Sequence, residues 1–137
     1  MKTLISFRTI YMLLLVASIL FLTISETKGN NIYPGDEAYA IAVEKAPAPI
    51  GGLEAIVKKI TYPDMAIKTR TEGKVYVLVF INENGEVDDV KVVKGIGAGC
   101  DEETIRAVKR TKFSPGVDKG VNVKTKLAIA IQFKIPS

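Results

Sequence analysis

Lys74–Lys94 reads KVYVLVFINENGEVDDVKVVK, and this stretch decides the architecture. Lys74–Ile81 is dense in β-branched and aromatic side chains and apolar on both faces, the pattern of a central strand covered on both sides. Asn82–Gly85 supplies a hairpin turn, with Asn84-Gly85 meeting the need for positive φ. Glu86–Lys94 is the returning strand. Its alternation slips across Asp88-Asp89, which predicts a bulge there.

Downstream, Gly95–Gly99 (GIGAG) is a flexible connector into a helix from Asp101 to about Lys112. Asp101 suits the N-cap, Glu102 and Glu103 suit the positive end of the helix, and Lys109, Arg110 and Lys112 suit the negative end. Ile105 and Val108 face the core with Cys100 and Ala107. Phe113-Ser114-Pro115-Gly116 breaks that helix, and Val117–Val121 reads as a loop. From Val123 to Ile135 the odd positions are Val, Thr, Leu, Ile, Ile, Phe and Ile, against Lys124, Lys126, Ala128, Ala130, Gln132 and Lys134. Strict period two gives a strand with one buried and one wet face.

Upstream, Leu53, Ile56, Val57 and Ile60 share one face of a helix that Pro63 terminates, and a second short helix covers Met65–Ile67. The order helix–strand–strand–helix–strand predicts an α+β domain with helices on one face of an antiparallel sheet, over residues 51–137. Residues 25–50, with Asn30, Asn31, Pro34, Gly35 and Ala46-Pro47-Ala48-Pro49, read as a linker. Residues 1–24 place Lys2 and Arg8 before the apolar run Thr9–Ile24, either a cleaved signal peptide or an uncleaved transmembrane anchor. The remainder is accordingly expected outside the cytoplasm, anchored to the membrane through that helix if it is retained and soluble if it is cleaved.

The chain has 137 residues, 47% hydrophobic and 25% charged, enough for one packed domain and a tail. It has no histidine and one cysteine, which removes His-based catalysis, His-containing metal sites and intramolecular disulfides. No cofactor, no metal and no enzymatic activity are expected. The net charge of +4 is spread over interleaved charges, with no aromatic residues among the basic stripe Arg106, Lys109, Arg110 and Lys112, so nucleic acid is not an expected partner. The glycine cluster is spaced G-x-G-x-G and followed by Asp101-Glu102-Glu103, which repel a phosphate at that helix start. Asp88-Asp89 lacks the ligand spacing of a calcium loop, and Cys100 lacks a partner.

What remains is backbone. A C-terminal strand at a sheet edge offers unpaired N–H and C=O groups to an extended peptide. The candidate binding residues are Lys126, Leu127, Ala128, Ile129, Ala130, Ile131 and Gln132. Lys124, Lys126 and Lys134 guard against indiscriminate pairing, and Ala128 and Ala130 leave a gap between them. A homodimer through the same edge is a further expectation.

Gly51-Gly52, Tyr62-Pro63 with Ala66, Glu72-Gly73-Lys74-Val75-Tyr76-Val77, Asn84-Gly85, Val90-Lys91-Val92, Asp101-x-Glu103, Phe113-Ser114-Pro115-Gly116, Gly120-Val121-Asn122-Val123 and Phe133-Lys134-Ile135 occur in an order and spacing that resembles the C-terminal domain of TonB-type energy transducers. The resemblance implies two helices on a three-stranded antiparallel sheet. It also implies a periplasmic module that binds a short segment of outer-membrane transporters beside its last strand and passes on force from an ExbB–ExbD-type motor. It adds Lys59, Thr61, Tyr62 and Pro63 as peptide contacts ahead of the sheet; Lys59-Ile60-Thr61 stands where some members are glutamine-rich. Two features depart from the full transducers. The chain lacks the histidine of their motor-coupling helix, and its 26 residues from Ser25 to Ile50 extend at most about 90 Å. The other expectation is therefore a free or short-tethered periplasmic binding or dimerisation module that transmits no force.

Overall fold

A computed structural model of the chain describes residues 38–137. The signal-or-anchor reading of residues 1–24 lies outside the described residues.

The elements run β1 (Ala48–Pro49), α1 (Gly52–Val57), α2 (Asp64–Lys68), β2 (Gly73–Ile81), β3 (Val87–Lys94), α3 (Cys100–Lys109), β4 (Phe113–Ser114), β5 (Gly116–Asp118), β6 (Val121–Val123) and β7 (Thr125–Phe133). The main sheet is antiparallel with the order β3-β2-β7, so the hairpin strand β2 is central and β7 is outermost. The α+β class and the three-stranded sheet agree with the expectation; the helices number three among the described residues.

The core lies on one face of the sheet. Val75, Val77 and Val79 of β2 and Ile129, Ile131 and Phe133 of β7 meet Ile56, Ala66, Cys100, Ala107 and Val108 from the helices. Full burial of such a side chain contributes roughly 1.5–3 kcal/mol. The alternation of β7 is what builds this face, since every second side chain of a strand points the same way. The opposite face of β2 is left more open than its apolar composition predicts: Tyr76 is exposed and Leu78 half-buried, while Phe80 is buried.

In the hairpin turn only Gly85 has positive φ, at 80°, whereas Asn84 does not. The Asn82 side chain organises the turn instead, its Oδ1 accepting from the amides of Asn84 at 2.9 Å and Glu86 at 3.0 Å. Gly85 is required for a second reason. A Cβ there would lie 2.0 Å from the carbonyl oxygen of Phe113, whose own amide donates to Gly85 O at 2.9 Å. The bulge predicted at Asp88 is present, between the pairs Phe80–Asp89 and Ile81–Val87, and a second slip skips Val93.

Three local expectations are corrected. Asp101 does not cap α3; Gly99 occupies the N-cap with φ 87°, and the Asp101 carboxylate instead accepts from the amide of Ile96 at 2.9 Å, fixing the glycine connector. α3 ends at Lys109 rather than Lys112. The final strand begins at Thr125, because Val121–Val123 pairs with Gly116–Asp118 in a separate hairpin, where a loop was expected.

Residues 38–50, expected to be linker, are hydrogen-bonded along the domain. Lys45 exchanges two backbone bonds with Val117 at 2.9 and 3.0 Å, β1 pairs with β4, and the Ile50 amide donates to Lys112 O. Proline-rich backbone is extended, and extended backbone is what such short pairings need. Among the described residues, no helix is long and apolar enough to cross a membrane.

Candidate functional site, an open sheet edge

Among the described residues β7 has β2 on one side only, and its other side is met only at its start. There, Ala40 forms a parallel bridge to Thr125: its amide donates to Lys124 O at 2.9 Å and its carbonyl accepts from Lys126 N at 3.1 Å. These bonds fix which groups face outward. In an antiparallel ladder, successive residues direct their N–H and C=O to opposite sides. Lys126 faces out, so Ala128, Ala130 and Gln132 do too, while Leu127, Ile129 and Ile131 face β2.

The seven candidate edge residues thus divide into two roles. Ala128, Ala130 and Gln132 carry the accessible donors and acceptors, together with the Lys126 carbonyl. Ile129 and Ile131 are buried and Leu127 half-buried, anchoring the strand in the core. On the outer face of the sheet, Ala128 and Ala130 are exposed beside Tyr76, Val93 and Lys94, which together line a shallow groove of about 540 Å³. Tyr76 is 41% and Val93 69% exposed, which gives the groove an apolar wall.

The contacts expected ahead of the sheet have intramolecular partners. Lys59 Nζ donates to Arg110 O at 2.8 Å and Thr111 Oγ1 at 3.2 Å. The Thr61 amide donates to Glu103 Oε1 at 2.6 Å. Arg106 holds Glu103 through a paired guanidinium–carboxylate contact, which keeps the Glu103 carboxyl below the usual carboxylate range. Pro63 packs against the backbone of Gly99. Tyr62 alone of the four reaches β7: its ring meets Phe133 edge-on at 5.6 Å, and its hydroxyl donates to Thr71 O at 2.6 Å.

Tyr39 and Ala40 belong to the surroundings of the edge and carried no signal in the sequence, where a single bridging residue has no period. Tyr39 packs edge-on against Phe80 at 5.1 Å and donates to Asp88 Oδ2 at 2.6 Å, which raises its hydroxyl to about 12. Lys124 Nζ lies 5.6 Å from the Tyr39 ring and Lys91 Nζ 4.8 Å from the Phe80 ring. Cys100 is buried, and burial pushes its thiol above the ordinary value.

Among the described residues the domain is thus a small α+β unit with a covered helical face and one partly guarded sheet edge. The family model for the Gram-negative bacterial TonB protein C-terminal matches residues 58–135. The chain belongs to this family. It is 33% identical to Protein TonB of Pseudomonas aeruginosa over 75 residues, 54% of this chain, and spans 22% of that relative's length. Among solved structures, it is similar to the Pseudomonas aeruginosa TonB CTD (32% identity, 57% of this chain, 80% of that chain, TM-score 0.46). It is also similar to a Helicobacter pylori TonB-CTD (31% identity, 57% of this chain, 85% of that chain, TM-score 0.41).

Proposed function

We propose that the domain binds an extended peptide from outer-membrane transporters by strand addition along β7, as a periplasmic module in energy-dependent transport. Membership of the TonB C-terminal family supports a TonB-like, non-enzymatic role. The observation that carries the reading is the row of outward groups at Ala128, Ala130 and Gln132 beside an open apolar groove. An added strand presents alternate side chains on the outer face, where the small Ala128 and Ala130 leave room for large apolar ones.

The experiment is calorimetric titration of the full chain with synthetic peptides covering the periplasm-facing N-terminal segments of the source organism's outer-membrane transporters. Saturable binding by at least one of them, lost in Ala130→Pro, is the expected result; no binding by any overturns the reading.

A second reading, binding without force transmission, is favoured by two observations. The chain has no histidine to couple to a proton-driven motor of the ExbB–ExbD type. Because residues 38–50 are tied to the domain, a membrane anchor at residues 9–24 would leave only residues 25–37 as tether, at most about 45 Å when extended. Fractionating cells and sizing the N-terminus separates the two readings: a cleaved product excludes force transmission by this chain alone.

A further inference from the structure

The chain meets its own binding edge. Ala40 takes the outward carbonyl of Lys124 and the outward amide of Lys126, so the first rung of the β7 edge is occupied from within. Its neighbour Tyr39 fixes it there by reaching across the outer face of the whole sheet. The ring lies beside Lys124 of the β6–β7 junction, packs on Phe80 of the central β2, and its hydroxyl ends on Asp88 of β3. Asp88 is the residue skipped by the ladder at the bulge, and a bulge re-aims the side chain it carries. The Asn82 amide nitrogen, 3.2 Å from Asp88 Oδ1, holds the carboxylate in place. Beyond Ala40 the chain leaves the edge: Ile41 is 77% exposed, and Lys45 is already paired with Val117.

We propose that Tyr39 and Ala40 form a register stop, a strap that ends the usable edge at Lys126 and so sets the length and register of any strand that adds to β7. The proposal rests on the strand-addition reading and adds a specificity determinant to it. A ligand of about five residues matches Ala128–Gln132 and fits beside the strap, whereas one of about nine matches Lys124–Gln132 and must first displace Ala40, one residue facing one residue. The strap thereby selects short pairing segments, or longer ones placed so that their excess runs past Gln132.

The test compares the full chain with its Tyr39→Ala variant by amide hydrogen exchange without ligand. In the wild type, Lys126 exchanges slowly because Ala40 accepts its proton. In Tyr39→Ala it exchanges roughly tenfold faster or more, while Ile129 and Ile131 stay slow and report an intact sheet. Unchanged Lys126 exchange in a folded variant overturns the strap. Should Tyr39→Ala not fold, Tyr39→Phe keeps the ring and removes only the bond to Asp88; faster Lys126 exchange is again expected, and its absence again contradicts the proposal. Binding then separates the two readings. With the best transporter peptide and its five-residue core as probes, Tyr39→Ala binds the long form about tenfold more tightly than wild type does and the core equally, a gain of the size one lost competing contact gives. Equal gains for both, or none, overturn the register stop while leaving strand addition standing. Failure of both peptides to bind either protein overturns strand addition and, with it, this proposal.

Discussion

The amide of Lys126 points away from its own sheet and donates to Ala40 at 3.1 Å, whereas the amide of its neighbour Leu127 points into the sheet toward Val79. That single step in direction separates two sets of residues along β7, one bonded to β2 and the other directed away from it.

Proline substitution distinguishes the two sets. Proline removes a donor and is tolerated in a strand only where that donor faces solvent. Ala130→Pro therefore retains the fold, judged by circular dichroism, and abolishes peptide binding. Ile129→Pro removes a bond to β2 and loses the fold itself, with a lowered denaturation midpoint.

Gly85→Ala places a Cβ against the Phe113 carbonyl in a backbone with φ of 80°. The expected loss is roughly 2–3 kcal/mol, read from urea unfolding, since both the left-handed conformation and the Gly85–Phe113 contact resist the side chain.

Thr125 is buried and its hydroxyl has no hydrogen-bond partner among the described residues. An unsatisfied buried hydroxyl is destabilising, so Thr125→Val, of the same shape, raises stability by about 1 kcal/mol in the same measurement. A loss instead would mean that the hydroxyl has a partner.

Tyr39 is raised to about 12, first by its hydrogen bond to Asp88 and then by burial. The folded state thus favours the neutral phenol. Its contribution to stability is complete below the ordinary tyrosine value of about 10 and disappears as pH rises through about 12. Followed by the ring-carbon NMR shift, Asp88→Asn lowers this titration toward the ordinary value.

Much of this organisation was legible in sequence because it is periodic. The apolar run Lys74–Ile81, the Asn82–Gly85 turn and the alternation after Thr125 each carry a local signal, and together they place β7 last and outermost. The break at Lys124 was not legible: Val121–Val123 continues the same alternation while pairing with a different strand, and period two does not name its partner. The N-cap of α3 was not legible either, because Asp101 serves the preceding loop equally well chemically. Leu53 and Val57 kept the helical spacing but remain about half exposed, since α1 has only six residues and buries Ile56 alone. Which β7 residues direct their backbone away from β2 followed only from the Ala40 bridge, a contact between segments far apart in the chain.

The most direct measurement is amide exchange along β7 with and without a saturating transporter peptide. Without peptide, the amides of Ala128, Ala130 and Gln132 should exchange fast and those of Leu127, Ile129 and Ile131 slowly. With peptide, the three fast amides should become slow together. Peptide saturation that leaves Ala128, Ala130 and Gln132 exchanging as before would contradict main-chain pairing at this edge.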